Sequence, residues 1–424
     1  MTRLPYRHYQ PARDMRVGSI PSHWKDILLR HATRFAYGDS LPDQERSGDE
    51  FFVFGSNGVV GTHHSANTLA PAIVIGRKGS FGAVNYTEVP AFCIDTTYFI
   101  DSRYSKQNLR WLYFALQTLG LDEVSRDTGV PGLSREVAYS CRIALPSLSE
   151  QHAIATFLDH EINKIDNLIA KQIEFLERLD EHRRALITEA LTLGLDDKVA
   201  LRATGNQFIP HVPMHWSLEK LKFLLATPLA YGANEAGDQN VSDDPRYVRI
   251  TDIHEDGNLR EDTRRSLPSK IAGPYLLQNG DVLLARSGAT VGKSFLYQSS
   301  WGTCCFAGYL IRARCDQEKI AARLLYYYLS SDCYWGWVKA IQTQATIQNI
   351  GADRYATLLV PRPPLKEQRE IVEHIEQKLS KVEHLRLKCI ELISVYGERR
   401  SALITAAVTG QIDCSQFGIS EVAA

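Results

Sequence analysis

Residues 285–294, ARSGATVGKS, end in a Gly-Lys-Ser triplet and follow an apolar run, which suggests a loop that could bind phosphate. A P-loop needs Gly, four residues, and then Gly-Lys-Ser/Thr, so that backbone N–H groups surround the phosphates. Counting back from Gly292 across four residues reaches Ser287, and Gly288 is one position too close. Serine carries a Cβ and adopts the positive φ of a tight anion nest less readily than glycine. An ATPase built on this stretch therefore stays a disfavoured alternative.

Other enzyme motifs are also missing from the sequence. It has no H-E-x-x-H, no G-x-S-x-G and no G-x-G-x-x-G after a strand. Nor does an Asn/Asp-Pro-Pro-aromatic sequence occur, which methyl transfer to a base amino group would use. The pair His63-His64 could bind a metal by composition, but its Gly/Thr/Ser setting favours a solvated loop. Cys304-Cys305 lies in an apolar, strand-like run, so we expect both residues in the core. The sequence predicts a protein without catalytic residues or a metal of its own.

Composition places the chain among globular proteins. At 424 residues, with 44% hydrophobic and 23% charged residues, two to four domains are expected. The eight cysteines form no C-x-x-C pair, which disfavours zinc and disulfide frameworks. No apolar run is long enough to span a membrane, and the start MTRLPYRHYQ lacks a signal-peptide core. We expect a cytoplasmic protein. The net charge is −1, but residues 1–147 and 205–365 each have a slight basic excess, which permits DNA binding without requiring it.

The chain contains an internal repeat. The recurring segments are IPSHW (20–24) with VPMHW (212–216), LPSLSEQHAI (145–154) with RPPLKEQREI (362–371), and RRALITEALTLGLD (183–196) with RSALITAAVTGQID (400–413). The first pair is offset by 192 residues and the other two by 217, so the second copy carries about 25 additional residues. The two halves therefore share one structural plan.

Each half is predicted to end in a long helix. Apolar residues step by three and four through both segments: Ile154, Leu158, Ile162, Ile165, Ile169, Leu176 and Leu179 in the first, and Ile371, Ile375, Leu379, Val382, Cys389, Ile393 and Tyr396 in the second. A capping box at Ser147 and Glu150 and the pair Pro363-Pro364 mark the starts. At roughly 40 residues each helix would be about 60 Å long. Such an apolar stripe needs a partner helix, and the other copy is the simplest one. The alternative is that each helix packs only on its own domain.

The segment before each helix reads as a mixed head of short strands and turns, with Ala72–Ile75 and Val282–Ala285 as examples of strands. We predict an α+β fold in which two globular α/β heads alternate with two long helices that pair as an antiparallel coiled coil with pseudo-twofold symmetry. The predicted boundaries are 1–147 for the first head, 148–204 for the first helical spacer, 205–365 for the second head, 366–413 for the second spacer and 414–424 for a tail.

Two heads on paired helices could read DNA at two places. The grooves of a duplex recur every ~34 Å along one face, and heads of different sequence would read different half-sites. Polar residues in Gly-rich turns or in a Gln/Asn-rich run are the candidate contacts, because Arg and Lys suit guanine or phosphate, and Asn and Gln suit adenine. The candidates are Ser56, Asn57, Arg77, Lys78, Ser80, Arg286, Ser287, Thr290, Lys293, Gln344, Gln348 and Asn349. Any one of them could instead be an ordinary exposed polar residue. Trp24 and Trp216 are interpreted as packing anchors rather than as platforms for bases.

Taken in order, these motifs resemble a known family. They are IPSHW and VPMHW at the start of each half, GSNGVVG at 55–61, the turns Arg77-x-Gly79 and Arg286-x-Gly288, LPSLSEQ and PPLKEQ before the helices, and the Ala-Leu-Ile-Thr helix ends. Over nearly its whole length the sequence resembles the specificity subunit of type I restriction–modification systems. The second half lacks a clear GSNG turn, and YVRITDI at 247–253 takes that general place. The two heads are therefore expected to be different subtypes.

The resemblance implies a function. Each head would be a target recognition domain reading one half of an asymmetric, bipartite DNA site, and the coiled coil would set the unread spacing. Two methyltransferase subunits would bind the chain and methylate adenine N6 with S-adenosylmethionine. Restriction subunits would add ATP- and Mg-dependent translocation and cleavage. The chain itself would be non-catalytic and would hold no cofactor. The alternative function is a coiled-coil scaffold that binds proteins without DNA specificity.

Overall fold

A computed structural model describes residues 5–123, 132–237, 240–254, 258–344, 349–415 and 417 of the chain. They form two compact units. The first unit comprises residues 1–172 together with 390–424, and the second comprises residues 173–389. Each unit thus contains one head and one part of each long helix, so neither long helix is confined to a single unit.

The head of the first unit is built around two small sheets. The central one has four antiparallel strands in the order β4-β10-β7-β8, and a second has the order β6-β5-β9 with β5 parallel to β9. The strands are β1 (Tyr9–Pro11), β2 (Ser19–Pro21), β3 (Lys25–Leu28), β4 (Ala36–Tyr37), β5 (Phe51–Gly55), β6 (Gly58–His63), β7 (Ala72–Gly76), β8 (Val84–Thr87), β9 (Ala91–Cys93), β10 (Thr97–Ile100) and β11 (Arg142–Leu145), and the helices are α1 (Leu109–Gln117) and α2 (Arg135–Ser140). Strand β7 is buried along its whole length, which explains its continuous apolar sequence and confirms the predicted strand.

The first long helix, α3 (Leu148–Thr192), begins where the sequence predicts. The Ser147 backbone N–H donates to Glu150 Oε2 at 3.1 Å, and the Glu150 N–H donates back to Ser147 Oγ at 3.4 Å. These two bonds are the reciprocal pair of a capping box, and they satisfy backbone donors that the first helical turn leaves free. The 45 residues of α3 agree with the predicted length.

The head of the second unit repeats this plan. Its strands are β12 (Leu201–Ala203), β13 (His211–Pro213), β14 (Ser217–Lys220), β15 (Ala230–Tyr231), β16 (Arg246–Val248), β17 (Val282–Ala285), β18 (Ser294–Leu296), β19 (Cys304–Phe306), β20 (Leu310–Ala313) and β21 (Leu359–Arg362), and its helices are α4 (Ser269–Ala272), α5 (Ala322–Tyr328), α6 (Asp332–Gln344) and α7 (Ala352–Ala356). The central sheet has the order β15-β20-β17-β18, the same as in the first unit. Strand β16 is parallel to β19, as β5 is to β9. The internal repeat in sequence is therefore a repeat in fold.

The two heads differ after the strand that runs parallel. In the first unit β5 turns through Ser56-Asn57 into its antiparallel partner β6. In the second unit a 3₁₀ turn at Ile250–Asp252 follows β16 instead, and no counterpart of β6 occurs among the described residues. The segment 247–253 does take the place of the GSNG turn, as the sequence indicates.

The second long helix, α8 (Leu365–Val408), pairs with α3 in both units. In the first unit Arg400 Nε lies 3.2 Å from Asp166 Oδ1, and in the second Arg386 Nε lies 3.8 Å from Asp180 Oδ1. A step of 14 residues forward along α3 thus matches a step of 14 residues back along α8, which makes the pair antiparallel. The residues predicted for the apolar stripes are buried or half-buried, and their alternating steps of four and three are those of a coiled coil.

The helix ends also belong to the cores of the heads. In the first unit Ile154 and Leu158 of α3 pack with Ile404 of α8 in the same core as the fully buried Trp111. In the second unit the corresponding core contains Ile187 of α3 and Ile371 and Ile375 of α8. Each long helix therefore both pairs with its copy and packs on a head, so the alternative of packing on a head alone is wrong.

Candidate nucleic-acid interface

The repeated His-Trp pair fastens the first head to α3. Trp24 is 2% exposed, and its indole Nε1 donates to Glu150 Oε1 at 2.9 Å. His23 Nε2 lies 2.7 Å from the same oxygen. Burial acts to raise the pKa of the Glu150 carboxyl, but hydrogen bonds from His23, Trp24 and Ser147 outweigh it and hold the pKa below its ordinary value. Glu150 is therefore an ionised anchor for the head.

The second unit repeats this contact. Trp216 is also 2% exposed, and its Nε1 donates to Glu367 Oε1 at 3.0 Å, while His215 Nε2 lies 2.8 Å from Glu367 Oε2. Both tryptophans are packing anchors, as predicted, because a buried ring with a bonded N–H cannot stack on a base.

The glutamine that follows each of these glutamates makes a second fastening. Gln151 and Gln368 are buried, and each carboxamide oxygen accepts a backbone N–H at the start of a head helix, from Asn108 at 2.9 Å and from Ala321 at 2.8 Å. Each side-chain nitrogen donates to a carbonyl just before its long helix begins. The repeated Glu-Gln pair therefore fixes the start of each long helix to its head.

The candidate contacts of the first unit lie on two adjacent turns. Ser56 Oγ donates to Thr96 O at 2.9 Å, and the Arg77 backbone N–H donates to the same oxygen at 2.8 Å. Asn57 is exposed at the tip of the β5–β6 hairpin. Lys78 and Ser80 are exposed on the turn that joins β7 to β8, where Gly79 takes a φ of +71°. The structure thus brings all five predicted residues of this unit together.

The candidates of the second unit gather around the equivalent turn, between β17 and β18. Ser287 pairs with Asn349 through a β-bridge, and Arg286 Nε donates to Asn349 Oδ1 at 3.4 Å, a long hydrogen bond. Thr290 and Lys293 lie on the same turn, with the Lys293 N–H donating to Thr290 O at 2.9 Å.

Two predicted residues contribute less to this description. Gln344 is the last residue of α6, and Gln348 lies outside the described residues. Asn349 is the member of the predicted polar run that the structure joins to the turn.

The Gly-Lys-Ser triplet is part of a β-hairpin. Ser294 begins β18, which pairs antiparallel with β17, so a strand stands where a P-loop requires a helix. The ATPase alternative is wrong for this segment.

Sequence reasoning missed a tyrosine beneath each turn arginine. The tripeptide Ala-Tyr-Gly occurs at 36–38 and again at 230–232. The Arg77 guanidinium carbon lies 4.9 Å from the centre of the Tyr37 ring, and that of Arg286 lies 4.8 Å from the centre of the Tyr231 ring. The repeat itself was the available signal, since the offset of 194 residues nearly equals the 192 of the Pro-x-His-Trp pair.

The glycine of each tripeptide has a steric reason. A Cβ on Gly38 would lie 2.1 Å from Ile94 O, and a Cβ on Gly232 would lie 2.2 Å from Phe306 O. Only glycine lets the backbone pass this close, and that passage fixes the tyrosine before it.

The remaining metal and redox candidates are structural. His63 is the last residue of β6, only 6% exposed and packed against Phe92, so the expectation of a solvated loop is wrong for it. Cys304 and Cys305 are fully buried in β19, which confirms their place in the core. Within the described residues, no group of three or more His, Cys, Asp and Glu side chains could hold a metal ion. No helix in that part of the chain has the length and hydrophobicity to cross a membrane.

The duplicated heads and paired helices define a class of two-headed recognition proteins, and comparison with known families identifies it. The family model "Type I restriction modification DNA specificity domain" matches residues 43–178 and 250–392, which is more than half of the chain. The chain therefore belongs to the type I restriction–modification DNA specificity family. It is a specificity subunit and not the catalytic component.

Relatives and a solved structure agree. The chain is 23% identical over 352 residues to the type I restriction enzyme EcoBI specificity subunit of Escherichia coli, covering 80% of this chain and 73% of that one. It is 19% identical over 426 residues to the EcoDI specificity subunit of Escherichia coli, covering 94% and 90%. A chain from a structural study of complex assembly and conformational transition in the type I R-M system shares the fold, with a TM-score of 0.67 and 16% identity, covering 93% of this chain and 99% of that one.

Proposed function

We propose that this chain reads an asymmetric, bipartite DNA sequence for a type I restriction–modification complex, one half-site with each unit. The target recognition domains would be the heads at 1–147 and 205–365. The observation that carries the proposal is a repeated scaffold whose equivalent turns present different side chains. Identical turns would fit a symmetric site, whereas unlike turns fit two unlike half-sites.

The chemistry of the turns supports base recognition. The first unit presents Asn57 at a hairpin tip beside Arg77, and the second presents Arg286 joined to Asn349. Arginine bonds the O6 and N7 of guanine with two N–H groups, and asparagine can make a matching pair of bonds to adenine. Lys78 and Lys293 are exposed on the same turns and suit phosphate contacts.

The helical spacers at 148–204 and 366–413 would set the distance between the half-sites. The buried glutamines fix the start of each helix to a head, and the apolar stripes hold the helices to each other. A spacer built this way resists bending, so the unread interval would have a defined length.

The partners follow from the family. Two methyltransferase subunits would bind S-adenosylmethionine and methylate adenine, and restriction subunits would bind ATP and Mg. The tail at 414–424 has no assigned part in recognition. We place the complex in the cytoplasm, where it would meet DNA.

Selection from a random duplex library tests the proposal. The chain, assembled with its methyltransferase, should enrich one split motif with two unlike halves. Affinity should fall steeply with rising salt, because phosphate contacts release counterions. Binding to a protein partner with no enriched motif and no salt-dependent DNA affinity would instead favour the scaffold alternative.

A second experiment tests the spacer. Inserting seven residues into each of α3 and α8, at facing positions, keeps the apolar stripes in phase and lengthens each helix by about 10 Å. The unread interval should lengthen while both half-sites stay the same. As a control, seven residues in α3 alone should disrupt pairing. A change in half-sites with an unchanged interval would contradict the proposed role of the helices.

A further inference from the structure

Arg77 and Arg286 differ from most half-buried arginines of the chain in what they contact. Elsewhere the usual partner is a carboxylate: the pairs are Arg103–Asp101, Arg142–Asp26, Arg246–Glu261, Arg249–Asp252, Arg314–Asp281 and Arg362–Glu219. In the described part of the chain the side-chain hydrogen bonds of the two turn arginines go to neutral oxygens, Asp95 O at 3.0 Å and Asn349 Oδ1 at 3.4 Å. Their positive charge is therefore available to a ligand.

Each of these arginines lies over a tyrosine that is open to solvent. Tyr37 is 45% exposed and Tyr231 is 42% exposed. A third arginine, Arg312, also stacks on a ring, but that ring belongs to Phe306, which is fully buried. Exposure thus separates the two tyrosine–arginine stacks from a stack that only fills the core. Both stacks stand at the same place in the fold, with the arginine after the buried central strand and the tyrosine on the edge strand.

We propose that each unit reads a guanine of its half-site with this arginine, and that the tyrosine beneath it is a positioning residue. The inference rests on the proposed function and deepens it. A guanidinium stacked by its face keeps its N–H groups at the edge, where a planar pair of bonds to guanine O6 and N7 can form. Arg77 uses one of five N–H donors on Asp95 O, and the others remain for the base.

The tyrosines act by holding that edge in one orientation. In the first unit Arg135 also lies over Tyr37, with its guanidinium carbon 4.3 Å from the ring centre. In the second unit the Tyr231 hydroxyl accepts the Ala352 N–H at 2.9 Å, which fixes the ring at the start of α7. One ring is therefore held by cations and the other by a hydrogen bond. This difference predicts that the loss of a hydroxyl matters in the second unit alone.

The test uses the chain assembled with its methyltransferase and the random-duplex selection described above. Arg77→Ala should reduce discrimination at one position of one half-site by about tenfold or more, and Arg286→Ala should do so at one position of the other. Arg→Lys at either place should restore little, because lysine cannot make the planar pair of bonds. Recovery with lysine would show a phosphate contact and would overturn the inference of base reading.

The tyrosine variants test positioning. Tyr37→Ala should lose discrimination at the same base position as Arg77→Ala, and Tyr37→Phe should restore it. Tyr231→Phe should restore it only in part. Phe223→Ala is the matched control, because Lys222 lies 4.8 Å above this exposed ring and yet the pair is outside both turns. It should leave the selected motif unchanged.

The outcomes separate the two proposals. Failure of the wild-type complex to select any split motif would remove the proposed function. A split motif that stays the same at every position in Arg77→Ala and Arg286→Ala, with both variants folded by thermal melting, would overturn this inference alone. A uniform loss of affinity across all sequences would also overturn it, because that is the result expected from phosphate contacts.

Discussion

The first and second units use the same internal contacts and present different surfaces. In both, a tryptophan bonds the glutamate that begins a long helix, a buried glutamine fixes a head helix, and an arginine lies on a tyrosine. The surfaces part after the parallel strand, where the first unit forms a hairpin and the second a 3₁₀ turn. The turn after the central strand also differs, since it is one residue longer in the second unit, from Ala285 to Gly292 against Gly76 to Gly82.

This difference shows which parts of the fold can change. The shared contacts are buried or join backbone to backbone, so a substitution there costs stability. The differing parts are exposed turns whose side chains bond little within the chain. Recognition can therefore diverge between the units while the scaffold stays the same. The predictions below test this division, from the largest expected effect to the smallest.

Gly38→Ala and Gly232→Ala should have the largest effect. Each added Cβ would overlap a backbone oxygen, which cannot move without breaking strand pairing. We expect each variant to lower the free energy of unfolding by about 3 kcal/mol, measured by denaturant titration. Gly397→Ala is the control, because its position on α8 has open space around the new Cβ and should be neutral or stabilising. A variant in either tripeptide as stable as the wild type would refute the close approach.

Trp24→Phe and Trp216→Phe should each cost about 1–3 kcal/mol, because the helix-start glutamate loses a donor at a buried site. Hydrogen exchange, followed separately for amides of each unit, should show the loss confined to the unit that carries the substitution. The two costs should be alike. A large cost in one unit and none in the other would contradict the equivalence of the two contacts.

The sequence predicted the scaffold better than the surface, for a physical reason. Long apolar stripes and the capping box at Ser147 report contacts that lie close together along the chain, so periodicity reveals them. The internal repeat then supplied the pairing of the two helices. The contacts of Trp24 with Glu150 and of Arg77 with Tyr37 join residues far apart in sequence, and no local pattern encodes them.

The candidate contacts were placed correctly as a group but not individually. Glycine spacing located both turns, yet it could not show that Ser56 and Arg77 bond the same carbonyl oxygen. His63 illustrates the limit in the other direction. Its neighbours are polar and small, which indicated a solvated turn, but strand pairing with Phe51 buries it.

Acid should weaken the first unit through Glu150. Because its pKa is lowered in the folded state, the stability it contributes is present above its ordinary pKa of 4.5 and is lost as the pH falls through the folded value. The wild type should therefore lose stability below about pH 4.5, and Glu150→Gln should be less stable at neutral pH but less dependent on pH in that range. Unfolding curves between pH 3 and 7 would check this. Equal slopes for the two proteins would rule out an ionised anchor.

Lys78→Ala and Lys293→Ala should have the smallest effects. If each lysine contacts a phosphate, its loss reduces the salt dependence of DNA binding by about one unit of log–log slope and leaves the selected motif intact. Fluorescence anisotropy at several salt concentrations would measure it. An altered base preference in either variant would assign that lysine to base reading instead.

The central claim is that two unlike heads on one scaffold read two unlike half-sites. The most direct measurement is a chromosome-wide map of methylated adenines in cells that express this chain with its methyltransferase. The account predicts one motif made of two different short sequences, separated by a fixed number of unread bases. A contiguous motif, two identical halves, or an interval of variable length would contradict it.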